Sequence, residues 1–301
     1  MKNKKLTVTI GIPVYNEEKN IGLLIKEIFK QKQNNFALDK VVIISDACTD
    51  KTETIVKSFT YSKLKLIKNK KRVGQSFAQN QIMKSTFSDI LVLLESDTLP
   101  EGQNYIDNLI KPIIANKNIV LVQGNEKPKK AKSFIGKMIA MQFNIYHDEI
   151  IKQSNLRTWF ASGRGGRALQ KSLYKDFHWL KDVPEDVYLH LFCKNKGHLT
   201  EFSTDAVCRY KSPETYRDIK KEMKKVKSGS YAIFNHFPKK LVEKMYTKSL
   251  LFRIKCALRF FQTNFFYFIT YFFLSLVIIN KKTIFSDFLP TTQSTKQLYE
   301  D

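Results

Sequence analysis

The stretch Asp89-Ile90-Leu91-Val92-Leu93-Leu94-Glu95-Ser96-Asp97-Thr98 is an apolar run that ends in two carboxylates. A short apolar run bounded by polar residues is typical of a strand buried in a parallel sheet. Open α/β sheets bind ligands at the carboxyl ends of such strands. Acidic residues at strand ends also form ordinary turns with their own backbone. The stretch alone therefore leaves two interpretations open, a turn and a metal and phosphate site.

Two further segments show a strand followed by polar residues. The apolar run 6–14 is interrupted by Pro13, leads into polar residues 16–18, and is followed over residues 21–28 by the spacing of an amphipathic helix. The β-branched run 41–44 is followed by acidic and hydroxyl residues at 45–50 and then by a second helical pattern. Three strand ends that carry polar side chains favour a shared ligand site over three unrelated turns.

Strands and helices alternate from residue 6 to about residue 125. This order predicts an α/β fold with a doubly wound, mostly parallel sheet flanked by helices. Right-handed crossovers place successive strand ends along one edge of such a sheet. We therefore expect residues 15–17, Asp46 and residues 95–97 to line a single cleft. A further strand is predicted at 119–124 and a helix at 134–151.

The composition restricts the class of protein and its partners. The chain has 301 residues and a formal net charge of +23, from 51 Lys and Arg against 28 Asp and Glu. Such a charge suits a polyanion, a phosphorylated substrate or an anionic membrane, although lysine-rich background composition explains it equally well. The four cysteines are far apart and form no C-x-x-C pair, which argues against zinc and disulfide frameworks. The amino-terminal apolar run is too short for a signal peptide, so we expect a cytoplasmic catalytic part.

Two later segments are candidate functional segments, one rich in glycine and one that contains an acid pair. Residues 160–170 form a glycine-dense stretch, which we interpret as a tight turn or an acceptor-side loop because no Walker lysine pattern accompanies it. Glu185 and Asp186 follow Pro184 at the expected start of a helix. Acids in a first turn are also explained by favourable interaction with the helix dipole alone.

In order and spacing, these segments resemble a family-2 glycosyltransferase with the GT-A fold over about residues 6–227. Pro13-Val14-Tyr15-Asn16-Glu17 resembles the P-x-Y-N-E signature of that family. Ser45-Asp46-Ala47-Cys48-Thr49-Asp50 resembles its S-D-x-S-x-D segment, with Cys48 in place of the usual serine. Arg72-Val73-Gly74 looks like its R-x-G loop, which meets the nucleotide or its phosphates.

The same resemblance implies the metal and donor contacts. Glu95-Ser96-Asp97 occupies the place of the D-x-D motif, so Asp97 is expected to bind the divalent cation that bridges the sugar diphosphate. Glu95 replaces the first aspartate, which is directed at the ribose or at metal-bound water. Magnesium and manganese both suit hard carboxylate and phosphate oxygens. The resemblance assigns nucleotide-sugar binding to Pro13, Tyr15, Asn16, Glu17, Asp46, Arg72, Gly74, Glu95 and Ser96.

The acceptor side of the resemblance implies the reaction. Glu185-Asp186 resembles the E-D pair of the family, in which the aspartate is the general base. Inverting transfer needs this carboxylate to take the proton of the attacking acceptor hydroxyl, and no protein nucleophile is required. Processive relatives carry Q-x-x-R-W farther on, whereas Glu222, Lys225 and Val226 occupy those places here. We therefore expect transfer of a single sugar.

The last part of the chain differs in pattern. We predict a catalytic domain at 1–230 and a helical, membrane-associated tail at 231–301. Residues 250–261 form a basic amphipathic segment that could lie on an anionic bilayer. The uncharged run 265–279 spans only about 22 Å as a helix, against about 30 Å of hydrocarbon. A short span, a re-entrant segment, an interfacial helix and a soluble core helix all remain open.

The sequence thus predicts an inverting, metal-dependent glycosyltransferase at the cytoplasmic side of the cell membrane. It is expected to move one sugar from a nucleotide-diphosphate sugar, with a UDP-sugar preferred, to a glycan or lipid-linked acceptor. One alternative is a metal-dependent nucleotidyltransferase, although residues 13–17 lack its glycine-rich phosphate loop. The other is a basic nucleic-acid-binding protein, whereas the leading hypothesis expects no nucleic-acid partner.

Overall fold

The computed structural model describes residues 5–152, 164–181, 183–220 and 232–278. The strands are β1 (Leu6–Val14), β2 (Phe36–Ser45), β3 (Leu64–Lys68), β4 (Ile90–Leu93), β5 (Thr98–Pro100), β6 (Ile119–Pro128), β7 (Arg167–Gln170) and β8 (Leu199–Tyr210). The helices are α1 (Ile21–Phe29), α2 (Thr52–Lys57), α3 (Gln75–Lys84), α4 (Tyr105–Ala115), α5 (Phe134–Ile151), α6 (Lys171–Asp176), α7 (Glu185–Asn195), α8 (Lys239–Tyr246), α9 (Leu250–Thr263) and α10 (Phe265–Ile278).

Within the described residues, eight strands form one sheet in the order β3-β2-β1-β4-β7-β6-β8-β5. Strands β1 to β4 pair in parallel, and β6 pairs in parallel with β8. Strand β7 is antiparallel to both of its neighbours, and β5 is antiparallel to β8. The other six strands all point the same way. The structure thus confirms the predicted α/β fold with a mostly parallel sheet flanked by helices.

The central strands are buried on both faces, which explains their uninterrupted apolar sequences. In β2, Val41 and Ile43 pack into the core beneath α1 and α4, whereas Val42 and Ile44 pack on the opposite face beneath α3. Helix α1 buries the residues that the sequence predicted for its apolar face. Two layers of helices thus hold the sheet so that the ends of β1, β2 and β4 meet at one edge.

Strand β7 departs from the sequence-based interpretation. The glycine-dense stretch 160–170 was expected to be one loop, but residues 167–170 form a strand between β4 and β6. The glycines permit this arrangement. A Cβ atom at Gly165 would lie 2.1 Å from the carbonyl oxygen of Gly124, and Gly166 has a positive φ of 78°. Because the backbones approach so closely, only glycine fits at this crossing.

The described part of the tail packs against the body of the protein. Apolar residues of α8 and α9 share a core cluster with Tyr146, Ile150 and Leu191. Helix α9 is also held by charge, since Lys255 Nζ lies 2.6 Å from Glu149 Oε2 and Arg259 Nη1 lies 2.8 Å from Glu149 Oε1. The predicted amphipathic helix is therefore present, and two of its basic residues pair with Glu149 while Lys255 stays largely exposed. No helix among the described residues has the length and apolar character to cross a membrane.

Candidate functional site

The carboxyl ends of β1, β2 and β4 surround a cavity of about 190 Å³. Every predicted nucleotide-sugar or metal contact except Asn16 lines it, although these residues come from four separate sequence segments. The lining residues are Pro13, Val14, Tyr15, Glu17, Asp46, Arg72, Gly74, Gln75, Ala78, Glu95, Ser96 and Asp97.

One end of the cavity is formed by an aromatic ring and a guanidinium. The guanidinium carbon of Arg72 lies 3.9 Å from the ring centroid of Tyr15. Such stacking is favourable because the ring face is electron-rich. Gly74, with a φ of 88°, turns the chain directly into α3. This end therefore offers a flat apolar surface next to a positive charge, which suits a nucleoside and its phosphates.

Asp46 holds the loop that carries Arg72. Its Oδ1 accepts a hydrogen bond of 2.8 Å from the backbone N–H of Val73, and its Oδ2 accepts one of 2.8 Å from that of Gly74. The side chain is buried. Because both carboxylate oxygens bind backbone amides, Asp46 fixes the position of the loop over the cavity as well as lining it.

Asn16 has a different role from its neighbours in the signature. It adopts a positive φ of 54°, and its Oδ1 accepts a hydrogen bond of 2.8 Å from the backbone N–H of Thr49. Cys48 also ties these two loops, since its Sγ accepts from the Asn16 backbone N–H at 3.3 Å. Asn16 does not line the cavity. It joins the loop after β1 to the loop after β2, and Cys48 fulfils this tie in place of serine.

Glu95 is held on two sides. Its Oε1 accepts from Arg167 Nη2 at 2.5 Å, and its Oε2 accepts from Gln75 Nε2 at 2.7 Å. Burial raises the pKa of Glu95, and the positive charge of Arg167 counteracts part of that effect. Arg167 was missed by sequence reasoning, because an arginine at the end of a glycine-dense stretch carries no motif. The register of β7 against β4 brings it to Glu95.

Asp97 is the candidate metal ligand in the cavity. Among the residues that the structure describes, its carboxylate makes neither a hydrogen bond nor an ion pair, although it is half-buried in the cavity wall. No group of three His, Cys, Asp or Glu side chains within the described residues could hold a metal by itself. A single carboxylate nevertheless fits a hard cation whose other ligands are phosphate oxygens and water, the usual arrangement for Mg²⁺.

Asp186 and Glu185 begin helix α7, directly after Pro184. The backbone N–H of Val187 donates to Asp186 Oδ1 at 2.8 Å, and Trp179 Nε1 donates to the carbonyl oxygen of Glu185 at 2.8 Å. Burial raises the pKa of Asp186, while the nearby Arg167 lowers it. Asp186 therefore faces the same group of charges as Glu95. Glu185 and Asp186 are not among the residues that line the cavity, and the link of Asp186 to it is the charge of Arg167 and Glu95.

Glu126 is a second residue that sequence reasoning missed. It lies in β6 and is buried, and its Oε2 accepts from the backbone N–H of Arg164 at 3.1 Å. Burial raises its pKa to about 7, and Asp186 and Asp97 are among the charges that it senses. No sequence pattern marks Glu126, because it stands beyond the end of the strand predicted at 119–124.

Several predicted features lie outside the described residues. These are the first part of the glycine-dense stretch, residues 160–163, and the positions that replace the processive motif, Glu222, Lys225 and Val226. The sequence hypothesis of single-sugar transfer therefore stays a prediction.

The chain is similar in sequence and in fold to known proteins. A family model described as Glycosyl transferase family 2 matches residues 9–177. The chain is 26% identical over 201 residues to UDP-Glc:alpha-D-GlcNAc-diphosphoundecaprenol beta-1,3-glucosyltransferase WfgD of Escherichia coli, covering 67% of this chain and 75% of that protein. The fold of this chain matches that of mannosyltransferase PcManGT from Pyrobaculum calidifontis, solved with GDP-Man and Mn²⁺. That match has a TM-score of 0.59 and 17% identity, and covers 91% of this chain and 76% of the other.

Proposed function

Because this chain belongs to glycosyltransferase family 2, we propose that it is an inverting, metal-dependent enzyme that moves one sugar from a nucleotide-diphosphate sugar to a lipid-linked or glycan acceptor. One observation carries the proposal. Asp97, a half-buried carboxylate without a partner among the described residues, lies in the same cavity as Tyr15, Asp46 and Arg72. Asp186 belongs to the same electrostatic cluster through Glu95 and Arg167.

We propose a UDP-sugar as the donor. The support is the name of the Escherichia coli relative, which uses UDP-Glc, together with the Tyr15 and Arg72 surface at the nucleoside end of the cavity. Asp97 would hold a divalent cation, and the fold neighbour from Pyrobaculum calidifontis was solved with Mn²⁺. When bound, such a cation neutralises charge on the departing diphosphate.

Asp186 is our candidate for the general base. Its carboxylate would accept the proton of the acceptor hydroxyl as that oxygen attacks the anomeric carbon and the bond to the diphosphate oxygen breaks. Attack opposite the leaving group inverts the anomeric configuration. The hydrogen bond from the Val187 N–H fixes the carboxylate, and the positive charge of Arg167 favours its ionised form. Both features suit a base that must be deprotonated before each turnover.

We further propose that α9 and α10 attach the enzyme to the cytoplasmic side of the cell membrane. Lys255 and Arg259 pair with Glu149, and large apolar side chains of α9 and α10 are exposed beside them. An exposed apolar surface on adjacent helices is typical of a membrane or protein contact. We name the exposed side chains the apolar tail face: Leu250, Leu251, Ile254, Leu258, Phe261, Phe265, Phe266, Phe272 and Phe273.

A donor screen with product analysis tests the proposed function. UDP-sugars and GDP-sugars would be measured for thermal stabilisation of the protein with and without Mn²⁺, since a ligand that binds only the folded state raises the melting temperature. Stabilising donors would then be incubated with lipid-linked and free glycan acceptors. We expect release of nucleoside diphosphate and a product one sugar longer. Release of pyrophosphate would instead identify nucleotidyl transfer and contradict the proposal.

A further inference from the structure

Arg167 has binding capacity that the protein does not use. The side chain is only 2% exposed, and its Nη2 donates to Glu95 Oε1 at 2.5 Å. Its Nε and Nη1 are buried and have no hydrogen-bond partner among the residues that the structure describes. A buried donor without a partner costs about 1–3 kcal/mol, so such groups are uncommon in stable folds unless a ligand or a reaction needs them.

The position of Arg167 points to the donor site. It is the first residue of β7 and pairs with Leu93 at the end of β4, directly before the segment that carries Glu95 and Asp97. Glu95 lines the cavity, so Arg167 stands immediately behind the cavity wall. The positive charge of Arg167 also affects Asp186, the candidate base. Arg167 therefore adjoins the wall of the donor cavity and its charge reaches the candidate base.

The cavity lining is rich in negative charge, so binding of a diphosphate there requires additional positive charge. Four carboxylates line it, from Glu17, Asp46, Glu95 and Asp97. Arg72 is the one cation among the lining residues in the described part of the chain, and it is stacked on Tyr15 at the nucleoside end. A diphosphate placed next to four carboxylates would be repelled unless positive groups met it. A cation at Asp97 would supply part of this charge, and Arg167 is the buried guanidinium beside that wall.

We propose that Arg167 is a diphosphate-binding residue, whose Nε and Nη1 donate to phosphoryl oxygens of the nucleotide while Nη2 keeps its bond to Glu95. This inference rests on the proposed function. Guanidinium groups bind phosphate well because their N–H donors form a fixed planar fork. The contact would strengthen as negative charge develops on the leaving diphosphate, so Arg167 would assist departure as well as binding.

A simpler role would be neutralisation of Glu95 alone, and the two roles predict different couplings. If Arg167 only balances the charge of Glu95, removing the guanidinium should have no effect once Glu95 is neutral. If Arg167 contacts the phosphates, removing it should weaken nucleotide binding whether or not Glu95 is charged. A double-mutant cycle with Glu95→Gln and Arg167→Met separates these cases. Methionine keeps the apolar length of the side chain, which limits the loss of packing.

The experiment is calorimetric titration of UDP and uridine, in parallel with GDP and guanosine, into the full chain with Mn²⁺. We expect Arg167→Met to weaken diphosphate binding at least about tenfold, because hydrogen bonds to charged groups are strong. Nucleoside binding should be unchanged, and the same loss should appear in the Glu95→Gln background. Arg167→Lys should recover part of the affinity. Equal diphosphate affinity with and without Arg167 in the Glu95→Gln background would overturn the inference.

Two controls keep this result interpretable. Thermal unfolding of each variant shows whether it is folded. If Arg167→Met alone does not fold, because it leaves Glu95 buried and unpaired, the comparison of Glu95→Gln with the double variant still decides the question. Failure of the proposed function has a separate signature. If the wild-type protein bound neither diphosphate more tightly than its nucleoside, the donor site itself would be refuted and this inference with it.

Discussion

The apolar tail face gives a quantitative prediction about membrane binding. Leu251 is 80% exposed and Phe266 is 75% exposed, so replacing both by serine removes apolar surface without disturbing the core. Full burial of such a side chain contributes about 1.5–3 kcal/mol, and these exposed fractions correspond to about 2–5 kcal/mol for the pair. Because about 1.4 kcal/mol is a factor of ten, the double variant should bind vesicles at least about 30-fold more weakly.

The assay is co-sedimentation with vesicles of neutral phosphatidylcholine and with vesicles that also contain anionic phosphatidylglycerol, at low and high salt. Phe87→Ser is the matched control, since Phe87 is 67% exposed but lies just before β4, away from the tail. Binding through apolar contacts should persist at high salt, whereas binding through lysines should be screened. Vesicle binding that is lost in salt and unaffected by the double variant would refute the reasoning and restore the basic face that the sequence suggested.

Four further outcomes are expected. Asp186→Asn should lower transfer by about 10²- to 10⁴-fold while UDP affinity is retained, and wild-type turnover would exclude Asp186 as base. Asp97→Asn should abolish the Mn²⁺-dependent part of donor binding, and equal titrations with and without EDTA in the wild-type protein would exclude a metal role. Burial raises the pKa of Asp186, so the acidic limb of the pH–rate profile should lie at a higher pH than the pKa of a free aspartate. Arg167→Lys keeps a positive charge and should leave this acidic limb close to its wild-type position. Lys255 lowers the pKa of Glu149 to about 2, so the stability that the Glu149 carboxylate contributes is present above its unfolded pKa and is lost as pH falls toward 2. Because Lys255 is exposed, Glu149→Gln should lower the free energy of unfolding by only about 1 kcal/mol. A thermal melt identical to that of the wild type would contradict this expectation.

The parallel half of the sheet and the donor cavity could be predicted because their signals are local. A strand buried on both faces must be apolar throughout, and residues 41–44 and 90–94 show this directly. Polar residues at the ends of parallel strands then meet for topological reasons. Asp46 and Asp97 therefore reach one cavity although 50 residues of chain separate them, and no knowledge of loop structure was needed to expect this.

Arg167 and Glu126 could not be predicted because their roles depend on register. Four residues of β7 are too few to show a period, and the pairing of Arg167 with Glu95 exists only because β7 lies antiparallel to β4. The tail shows the same limitation. Residues 250–261 were predicted as a basic amphipathic segment, but Glu149, on a helix about 100 residues earlier, forms ion pairs with Lys255 and Arg259 of that segment. Interactions between distant segments leave little trace in either segment alone.

The close crossing of glycine backbones between β6 and the start of β7 limits where the enzyme can be engineered. A Cβ atom at Gly124 would lie 2.0 Å from the carbonyl oxygen of Gly165, and Tyr105 Oη donates to that same oxygen at 2.5 Å. Even alanine at either glycine would push apart the two backbones that carry Glu126 and Arg167. Libraries intended to broaden substrate range should therefore keep both positions constant and diversify side chains around them.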